Sequence, residues 1–306
     1  MKISVIIPVY NAEKYIGECL GSLVRQELAK GDELEIIAVD NMSTDGSAEI
    51  IRGYKGVRLL SCAWPGASAA RNLGAKQATG DFIWFVDADD YITPGVMAKL
   101  IEIAKSGVDL VSFTAERFYE GSEQKNYLTC IKTDEEGWKS RFVRYGLAPW
   151  SLLIGKDWFI KNKLNFHEGI IHEDMAIMSA YILYTDKVGY LDEVAYHYRQ
   201  HENSVLHQEK WNPHCYDIFV ALEDLVERFK KKEAFDEYYD DLEWFFIWNL
   251  LIDSAKDFRK FKEGRDGFRR SREMLKKYFP GWWKNKYLRA RGAKMKVRIW
   301  LNYWGV

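Results

Sequence analysis

The stretch Asp81-Phe82-Ile83-Trp84-Phe85-Val86-Asp87-Ala88-Asp89-Asp90 is an apolar run that ends in three carboxylates within four residues. An unbroken run of this length, bounded by turn signals, reads as a strand buried in a parallel sheet. In open α/β sheets, ligands bind just beyond the carboxyl ends of such strands. Carboxylates crowded there repel one another and are costly to desolvate unless a cation joins them. The stretch therefore reads as a place for a hard divalent cation, Mg²⁺ or Mn²⁺, held by one or two carboxylates and completed by phosphates of a bound molecule. The alternative is a solvated acidic turn before a helix that starts near Pro94.

Working outward, the first 115 residues alternate strand and helix patterns. Strands are expected at Ile3–Val9, Leu34–Val39, Val57–Ser61, Phe82–Val86 and Leu110–Thr114, with helices at Ala12–Gln26, Thr44–Tyr54, Ser68–Ala78 and Gly95–Ser106. Such alternation predicts a parallel sheet covered on both faces. Ser43, before Thr44-Asp45, reads as a helix N-cap. A dinucleotide-binding fold would need Gly-x-Gly-x-x-Gly after the first strand, and Val9-Tyr10-Asn11-Ala12-Glu13 stands there; no Walker loop is present either.

Residues 116–205 are more mixed, with short strands, a helix near Asp157–Lys161 and the segment Ile171-His172-Glu173-Asp174-Met175. From about Gln208 the pattern turns helical, over His214–Lys232, Phe235–Phe261 and Arg265–Tyr278, until Pro280-Gly281 breaks it. Trp244, Phe245, Phe246 and Trp248 read as helical core. The expected organisation is residues 1–205 as one domain (with halves at 1–115 and 116–205), a helical extension over 206–278 and a tail over 279–306.

The chain has 306 residues, 47% hydrophobic and 29% charged, which is globular rather than disordered. Cys19, Cys62, Cys130 and Cys215 lie far apart with no CxxC pair, so neither a zinc ribbon nor a disulfide framework is expected, and a reducing compartment fits best. The first apolar run is too short for a signal peptide, and no segment approaches the roughly 18 apolar residues of a spanning helix. The net charge of −1 hides an asymmetry. Residues 279–306 hold seven Lys/Arg and no acid, interleaved with Trp282, Trp283, Trp300, Trp304, Tyr287 and Tyr303. Cations for anionic headgroups beside amphipathic rings suit a helix lying in a lipid interface. A helix packed on the protein's own core and a nucleic-acid patch are the alternatives.

Several local patterns converge. Ser4-Val5-Ile6-Ile7-Pro8-Val9-Tyr10-Asn11 is followed by Ala38-Val39-Asp40-Asn41-Met42-Ser43-Thr44-Asp45-Gly46-Ser47, then Gly66-Ala67-Ser68-Ala69-Ala70-Arg71-Asn72-Leu73-Gly74, then Gly80-Asp81-Phe82 leading into Asp87-Ala88-Asp89-Asp90. Further on stand Glu173-Asp174 and Tyr196-His197-Tyr198-Arg199. This series, in this order and spacing, closely resembles the inverting family 2 glycosyltransferases with the GT-A fold, over residues 1 to about 205. The resemblance implies an α/β, Rossmann-like, mostly parallel sheet flanked by helices, here with a C-terminal helical extension.

The resemblance also implies roles. Asp40 matches the acid that reads the nucleotide base; its structural alternative is a helix cap. Pro8, Tyr10 and Asn11 match the loop that packs on the nucleotide. The family usually has an Asp and a Gly where this chain has Asn41 and Met42; Asn41 keeps donor and acceptor capacity for base contacts. Arg71 matches the arginine beside the diphosphate, where a guanidinium fork can bond two phosphate oxygens. Asp87 matches the ribose- or metal-contacting acid, Asp89 the direct ligand of Mn²⁺ or Mg²⁺, and Asp90 supports them. Glu173-Asp174 matches the pair at the acceptor face, with Asp174 as general base and Glu173 orienting the acceptor or raising Asp174's proton affinity. Two acids in the first turn of a helix are the bland alternative. Arg199 is expected at the diphosphate, His197 as a further metal ligand, and His201 belongs to the same set. Trp150 and Phe166 read either as an acceptor-stacking face or as core.

The expected activity is transfer of a hexose or N-acetylhexosamine from a nucleotide sugar, a UDP-sugar first among them, to a hydroxyl of a glycan acceptor in bacterial cell-surface polysaccharide synthesis. The expected place is the cytoplasm, at the inner face of the membrane, with a lipid-linked acceptor. Peripheral membrane association and homodimerisation through the helical third are further expectations, and nucleic acid is not an expected partner. The rival readings are a catalytically silent member that binds sugar or assembles with a partner, and a sugar nucleotidyltransferase, whose Gly-rich signature is missing at Pro8-Val9-Tyr10-Asn11.

Overall fold

The computed structural model describes residues 1–128, 132–133, 135–201 and 211–305. Cys130, the expected boundary at 205/206 and the expected helical start near Gln208 lie outside the described residues. The chain divides into two compact units: Met1–Trp138 with Ala148–Gly169 and Tyr184–Ser204, and Lys139–Leu147 with Ile170–Leu183 and Val205–Val306.

The first unit is built on one sheet. Among the described residues its strands are β1 (Lys2–Val9), β2 (Glu33–Asp40), β3 (Val57–Ser61), β4 (Phe82–Phe85), β5 (Tyr91–Ile92), β6 (Leu110–Tyr119), β7 (Lys125–Leu128), β8 (Leu152–Gly155) and β9 (Val188–Gln200). Their order is β3-β2-β1-β4-β8-β6-β9-β5, with β7 on β6. β3, β2, β1 and β4 pair in parallel, as the alternating pattern predicts. β8 then enters antiparallel between β4 and β6, so the fifth expected strand is not β4's neighbour. Leu152-Leu153-Ile154-Gly155 is wholly buried, which suits it to a central position. β9 runs parallel to β6 and carries a bulge: Phe113 pairs Leu191, Thr114 pairs Val194 and Ala115 pairs Tyr196. The extra residues re-aim the end of β9 and let His197 and Tyr196 pair with β5.

Helices α1 (Ile16–Val24), α2 (Ser47–Arg52), α3 (Ala67–Gln77) and α4 (Val96–Ala104) cover the sheet; α5 (Trp138–Tyr145) and α6 (Lys156–Lys161) follow. Ser43 does not cap α2 as expected. Its hydroxyl accepts from Asn11 N–H at 3.1 Å, and α2 starts at Ser47, whose own N–H and hydroxyl donate to Asp45. α3 lies close on β1 because its inner face is small: a Cβ on Gly74 would sit 2.3 Å from Ile6 Cγ2. That proximity is what brings Arg71, three residues earlier on the same helix, under the edge of the sheet.

The second unit is helical, with α7 (Asp217–Lys231), α8 (Tyr239–Trp248), α9 (Ser254–Lys260), α10 (Asp266–Tyr278), α11 (Lys286–Arg289) and α12 (Ala293–Trp304); a π-turn, Asn249–Asp253, joins α8 to α9. Trp244, Phe245 and Phe246 are buried, the core role expected of them. Buried Asp241 gathers Ser140 Oγ, Arg144 and Tyr287 Oη at 2.8, 3.0 and 2.6 Å. Buried Asn285 donates to Asp240 O and Glu243 while its Oδ1 caps Tyr287 and Leu288 N–H. The basic tail divides its apolar residues: Trp282, Ile299 and Tyr303 are buried, whereas Trp283, Trp300 and Trp304 are more than half exposed. Among the described residues no helix is long and apolar enough to cross a membrane.

Filling the space at Gly74 tests the packing of α3 on β1. Gly74→Ala should lower the urea midpoint of the first unit's unfolding, by about 1–3 kcal/mol in free energy. An unchanged midpoint would mean that α3 can retreat from β1 without loss.

Candidate functional site

The parallel strands set the site's position. Register places Asp40 beside Val9 of β1 and Ser61 of β3, and Phe85 beside Ile6. The loops after β1, β2, β3 and β4 therefore leave one edge of the sheet, where α/β sheets take their ligands.

The first two loops are laced together. Asn11, in a left-handed conformation at φ 48°, accepts from Thr44 N–H at 2.8 Å through Oδ1. Ser47 Oγ accepts from Ala12 N–H, Asp45 from Glu13 N–H, and Glu13 from Gly46 N–H. Asn11 thus braces the loop, while Pro8 is partly buried at the end of β1 and Tyr10 stands 65% exposed. Asp40 accepts from Ser43 N–H at 3.3 Å, a long bond that leaves its carboxylate only lightly committed. Asn41 behaves differently from the expectation that it keeps base contacts. It is buried, donates to Trp64 O at 2.6 Å and accepts from Gly66 N–H at 2.8 Å, so its amide shapes the loop after β3. That loop presents Trp64, 75% exposed; Met42, at φ 67°, is also exposed.

The acid loop after β4 is fixed from β9. Asp90 is buried; it accepts from Tyr196 Oη at 2.6 Å and from Arg199 N–H at 2.8 Å. The same Tyr196 hydroxyl accepts from Asp87 N–H at 3.0 Å. Burial, with Asp89 and Asp87 adding to it, pushes the Asp90 carboxyl well above its ordinary range. Tyr196 is stacked on Trp150 with ring centroids 4.5 Å apart, and Trp150 O accepts from Trp84 Nε1, so Trp150 is core. Phe166 is buried too, beneath the Arg71 guanidinium at 5.6 Å.

With Asp90 turned inward, Asp87 and Asp89 are left for other work. Arg71 is buried and donates to Asp87 Oδ1 at 2.9 Å. Asp89 Oδ2 lies 3.0 Å from His201 Nε2. Burial, followed by the like charge of Asp87, raises the proton affinity of Asp89, and His201 opposes this. His201 Nδ1 is buried with no hydrogen-bond partner among the described residues. The structure therefore brings His201 to Asp89. His197, the histidine expected there, sets Nδ1 against Glu116 at 3.2 Å and Nε2 against Thr93 Oγ1 at 3.0 Å, and stacks on Tyr91. Arg199, expected at a diphosphate, commits its Nε to Asp89 O and an NH2 to Glu18, under the rings of Tyr15, Tyr91 and Phe118.

Asp87 and Asp89, with His201 against Asp89, are of the donor types that Mn²⁺ or Mg²⁺ takes, and the burial and like charge that raise the proton affinity of Asp89 are what a cation would relieve. Among the described residues no three such side chains are already gathered about one point. An ion at Asp89 would thus draw part of its shell from water or a ligand's phosphates, the usual habit of Mg²⁺.

Glu173 and Asp174 belong to the second unit. They stand in a turn that leads into a 3₁₀ helix, Met178–Leu183, rather than in the first turn of an α-helix. Asp174 Oδ1 accepts from Met175 N–H at 2.9 Å, and its carbonyl accepts from Ile177 and Met178 N–H. The turn is entered through His172 at φ 68°, and Asp217 holds Ile171 N–H at 3.0 Å. Burial lowers the His172 pKa, opposed by Glu173, Asp217 and Asp257.

Sequence reasoning missed Tyr196 and Glu18 as anchors. The tetrad Tyr196-His197-Tyr198-Arg199 drew attention to its cations, while a neutral hydroxyl does the anchoring. Glu18 sits in α1 with no local sign of its distant arginine partner.

Residues 4–183 match the family described as Glycosyl transferase family 2. An uncharacterized glycosyltransferase of Bacillus subtilis, EpsJ, is 32% identical over 254 residues, covering 78% of this chain and 70% of that protein. The poly(ribitol-phosphate) beta-N-acetylglucosaminyltransferase TarS of Staphylococcus aureus is 29% identical over 248 residues, which cover 74% of this chain and 39% of TarS. The crystal structure of TarS 1-349 in complex with UDP-GlcNAc superposes with a TM-score of 0.76 at 21% identity, covering 99% of this chain and 89% of that one. That likeness shows the GT-A fold.

Two measurements probe the local chemistry. Tyr196→Phe should cost about 1–3 kcal/mol of unfolding free energy, because it strips a buried carboxylate of its hydroxyl donor; full stability would remove Tyr196 as an anchor. For His172, the folded value lies below the ordinary 6.5. Its contribution to stability is complete above about pH 6.5 and is lost as pH falls through the folded value, since the unfolded chain takes the proton first. His172→Asn, which tolerates positive φ, should flatten that part of the pH–stability curve; an unaltered slope would place the titration elsewhere.

Proposed function

The chain belongs to glycosyl transferase family 2, and we propose that this glycosyltransferase moves a hexose or N-acetylhexosamine from a UDP-sugar to a glycan hydroxyl, inverting the anomeric carbon. The observation that carries the reading is the acid loop. Buried Asp90 fixes it, Asp87 is paired to Arg71, and Asp89 is set against His201, all beyond the carboxyl end of β4. The UDP-GlcNAc held by the crystallised TarS supports the choice of donor.

Each residue then has a task its chemistry suits. The lightly committed carboxylate of Asp40 accepts from the base's imide N–H. Pro8 and the exposed Tyr10 ring form the surface on which the nucleotide packs, in a loop that Asn11 holds in shape. Arg71 offers its fork to the diphosphate and Asp87 faces the ribose or the cation. Asp89, with Asp87 or His201 beside it, would hold Mn²⁺ or Mg²⁺. When bound, the ion stabilises the negative charge that builds on the departing nucleoside diphosphate. Arg199 serves by clamping the acid loop through Asp89 O and Asp90. On the second unit, Asp174 takes the acceptor hydroxyl proton as that oxygen attacks the anomeric carbon and the bond from that carbon to the diphosphate breaks. Glu173 orients the acceptor or raises the proton affinity of Asp174 as a neighbouring like charge.

The acceptor side extends the reading. TarS is named for a poly(ribitol-phosphate) acceptor, which supports a cell-surface polymer as the acceptor class. Trp283, Val297, Trp300 and Trp304 are exposed among seven cations with no acid over residues 279–306. That combination suits the anionic inner face of a membrane and a lipid-linked acceptor.

A panel of nucleotide sugars with Mn²⁺, read by released diphosphate, should give activity with a UDP-sugar that chelation removes. Asp89→Ala should abolish it. Asp174→Asn should keep donor binding while lowering kcat by about 10²–10⁴-fold; transfer retained by Asp174→Asn but lost by Asp89→Ala would refute the assignment of the base. Removing the tail would take buried Phe279, Leu288 and Ile299 out of the helical core, so the membrane reading is better tested with Trp283→Ser/Trp300→Ser. This pair should move the protein from the membrane fraction to the soluble one, and unchanged partitioning would refute peripheral attachment.

A further inference from the structure

The second unit holds a cleft of about 430 Å³ lined by Arg259, Arg265, Phe268, Arg272, Trp304 and Gly305. That volume is within the range of small-molecule sites, about 300–1,000 Å³. Its cationic wall follows from helical spacing. Arg265, Phe268 and Arg272 stand at i, i+3 and i+7 across the start of α10 and share a face. Asp266 and Glu273, the acids of the same helix, turn the other way: Asp266 pairs with Arg269 and Arg270 at 2.8 and 2.9 Å, and Glu273 with Arg269 at 2.7 Å. The helix thus spends its acids on its outer cations.

The wall is also held in place. Arg272 donates to the neutral Tyr303 carbonyl at 2.8 Å, which orients the fork and leaves its charge intact. Arg259, on α9, donates to Oδ1 of buried Asn302, whose Nδ2 donates to Leu251 O. Arg265 is exposed and makes no side-chain ion pair among the described residues. Close packing keeps the helices that carry these groups together. A Cβ on Gly267 would lie 2.5 Å from the Phe258 ring of α9, and one on Gly305, at φ 74°, would lie 3.3 Å from Phe268.

Guanidinium groups that line one cleft beside aromatic rings suit recognition of a tetrahedral oxyanion. We propose that the Arg259–Arg265–Arg272 cleft is a phosphate-binding site separate from the donor site, taking the phosphate of an anionic lipid headgroup or of a soluble phosphate ester. Exposed Trp304 at its rim, with Trp300 one turn earlier on α12, favours the lipid source. The lipid source rests on the membrane reading above; the site itself does not.

The test uses the full chain and two probes. Sedimentation with phosphatidylcholine vesicles, with and without phosphatidylglycerol, measures headgroup binding; calorimetric titration with glycerol phosphate measures the soluble ester. Arg265→Gln should weaken binding of the phosphatidylglycerol vesicles, of glycerol phosphate, or of both about tenfold. Lys294→Gln removes the same charge from an exposed position on α12 outside the cleft and should change binding less than twofold. Dependence on Arg265 seen only with glycerol phosphate keeps the site and assigns it a soluble ester. Equal losses in Arg265→Gln and Lys294→Gln would reveal diffuse attraction and overturn the proposal, as would binding of both probes that ignores Arg265. Release from vesicles by Trp283→Ser/Trp300→Ser alongside full retention by Arg265→Gln would leave the membrane reading standing without the cleft. Glycerol phosphate binding that depends on Arg265 in a protein indifferent to vesicles would do the reverse.

Discussion

One buried carboxyl group organises the acid loop of this protein. Asp90 lies almost wholly out of solvent beside two further acids, and a charge in that position is tolerated only where hydrogen bonds replace water. The donors come from β9, as a tyrosine hydroxyl and a backbone N–H. Much of the surrounding architecture serves that delivery. The bulge in β9 re-aims its last residues, β5 pairs with them, and the Trp150–Tyr196 stack fixes the hydroxyl. Once Asp90 is pinned, the chain between it and β4 is short enough that Asp87 and Asp89 have few places to go.

The same economy explains why several polar residues in the loops beyond the sheet turn back onto the backbone. Asn11, Ser43, Thr44, Asp45 and Ser47 satisfy each other's backbone across the first two loops. Asn41 does the equivalent for the loop after β3. Loops that protrude beyond a sheet lose the ladder's hydrogen bonds, and side chains must restore them if the loops are to hold a fixed shape. What is left to face outward is a small set: Tyr10, Met42 and Trp64 as exposed apolar surface, and the carboxylates of Asp40, Asp87 and Asp89.

How far the sequence could be read follows from the range of the interactions involved. The parallel half of the sheet was legible because each strand's buried run and each helix's period are local, and the strands from Ile3 to Phe85 pair where that pattern puts them. The insertion of β8 between β4 and β6 was not, because four apolar residues carry no label for their neighbour. At the acid loop, residue type pointed to the right cluster and left its division open. Asp90 differs from Asp89 only through partners more than a hundred positions away. His197 and His201 are alike as residues, and the strand's path alone sets one on Glu116 and the other on Asp89. Arg199 and Arg71 are both arginines near acids, yet Arg199 is enclosed by three rings and a glutamate.

The basic tail shows the same limit from the other side. Composition suggested either a helix in a lipid interface or a helix packed on the core, and α12 carries both a buried face and an exposed apolar one. Ile299, Asn302 and Tyr303 form a buried face, with Asn302 satisfied by Leu251 O and Arg259. Val297, Trp300 and Trp304 recur at three- and four-residue spacing on the outside, between Lys294, Lys296 and Arg298. Counting rings and charges cannot assign them to faces; that takes the rotation of the helix about its axis. The contact of Gly305 with Phe268 and the bond from Arg272 to Tyr303 O fix that rotation. A tryptophan exposed singly needs no explanation, whereas two on one helical stripe, edged with cations, leave a coherent amphipathic surface. The fold keeps that surface out of its own core, and only contact with another phase or molecule would remove it from water.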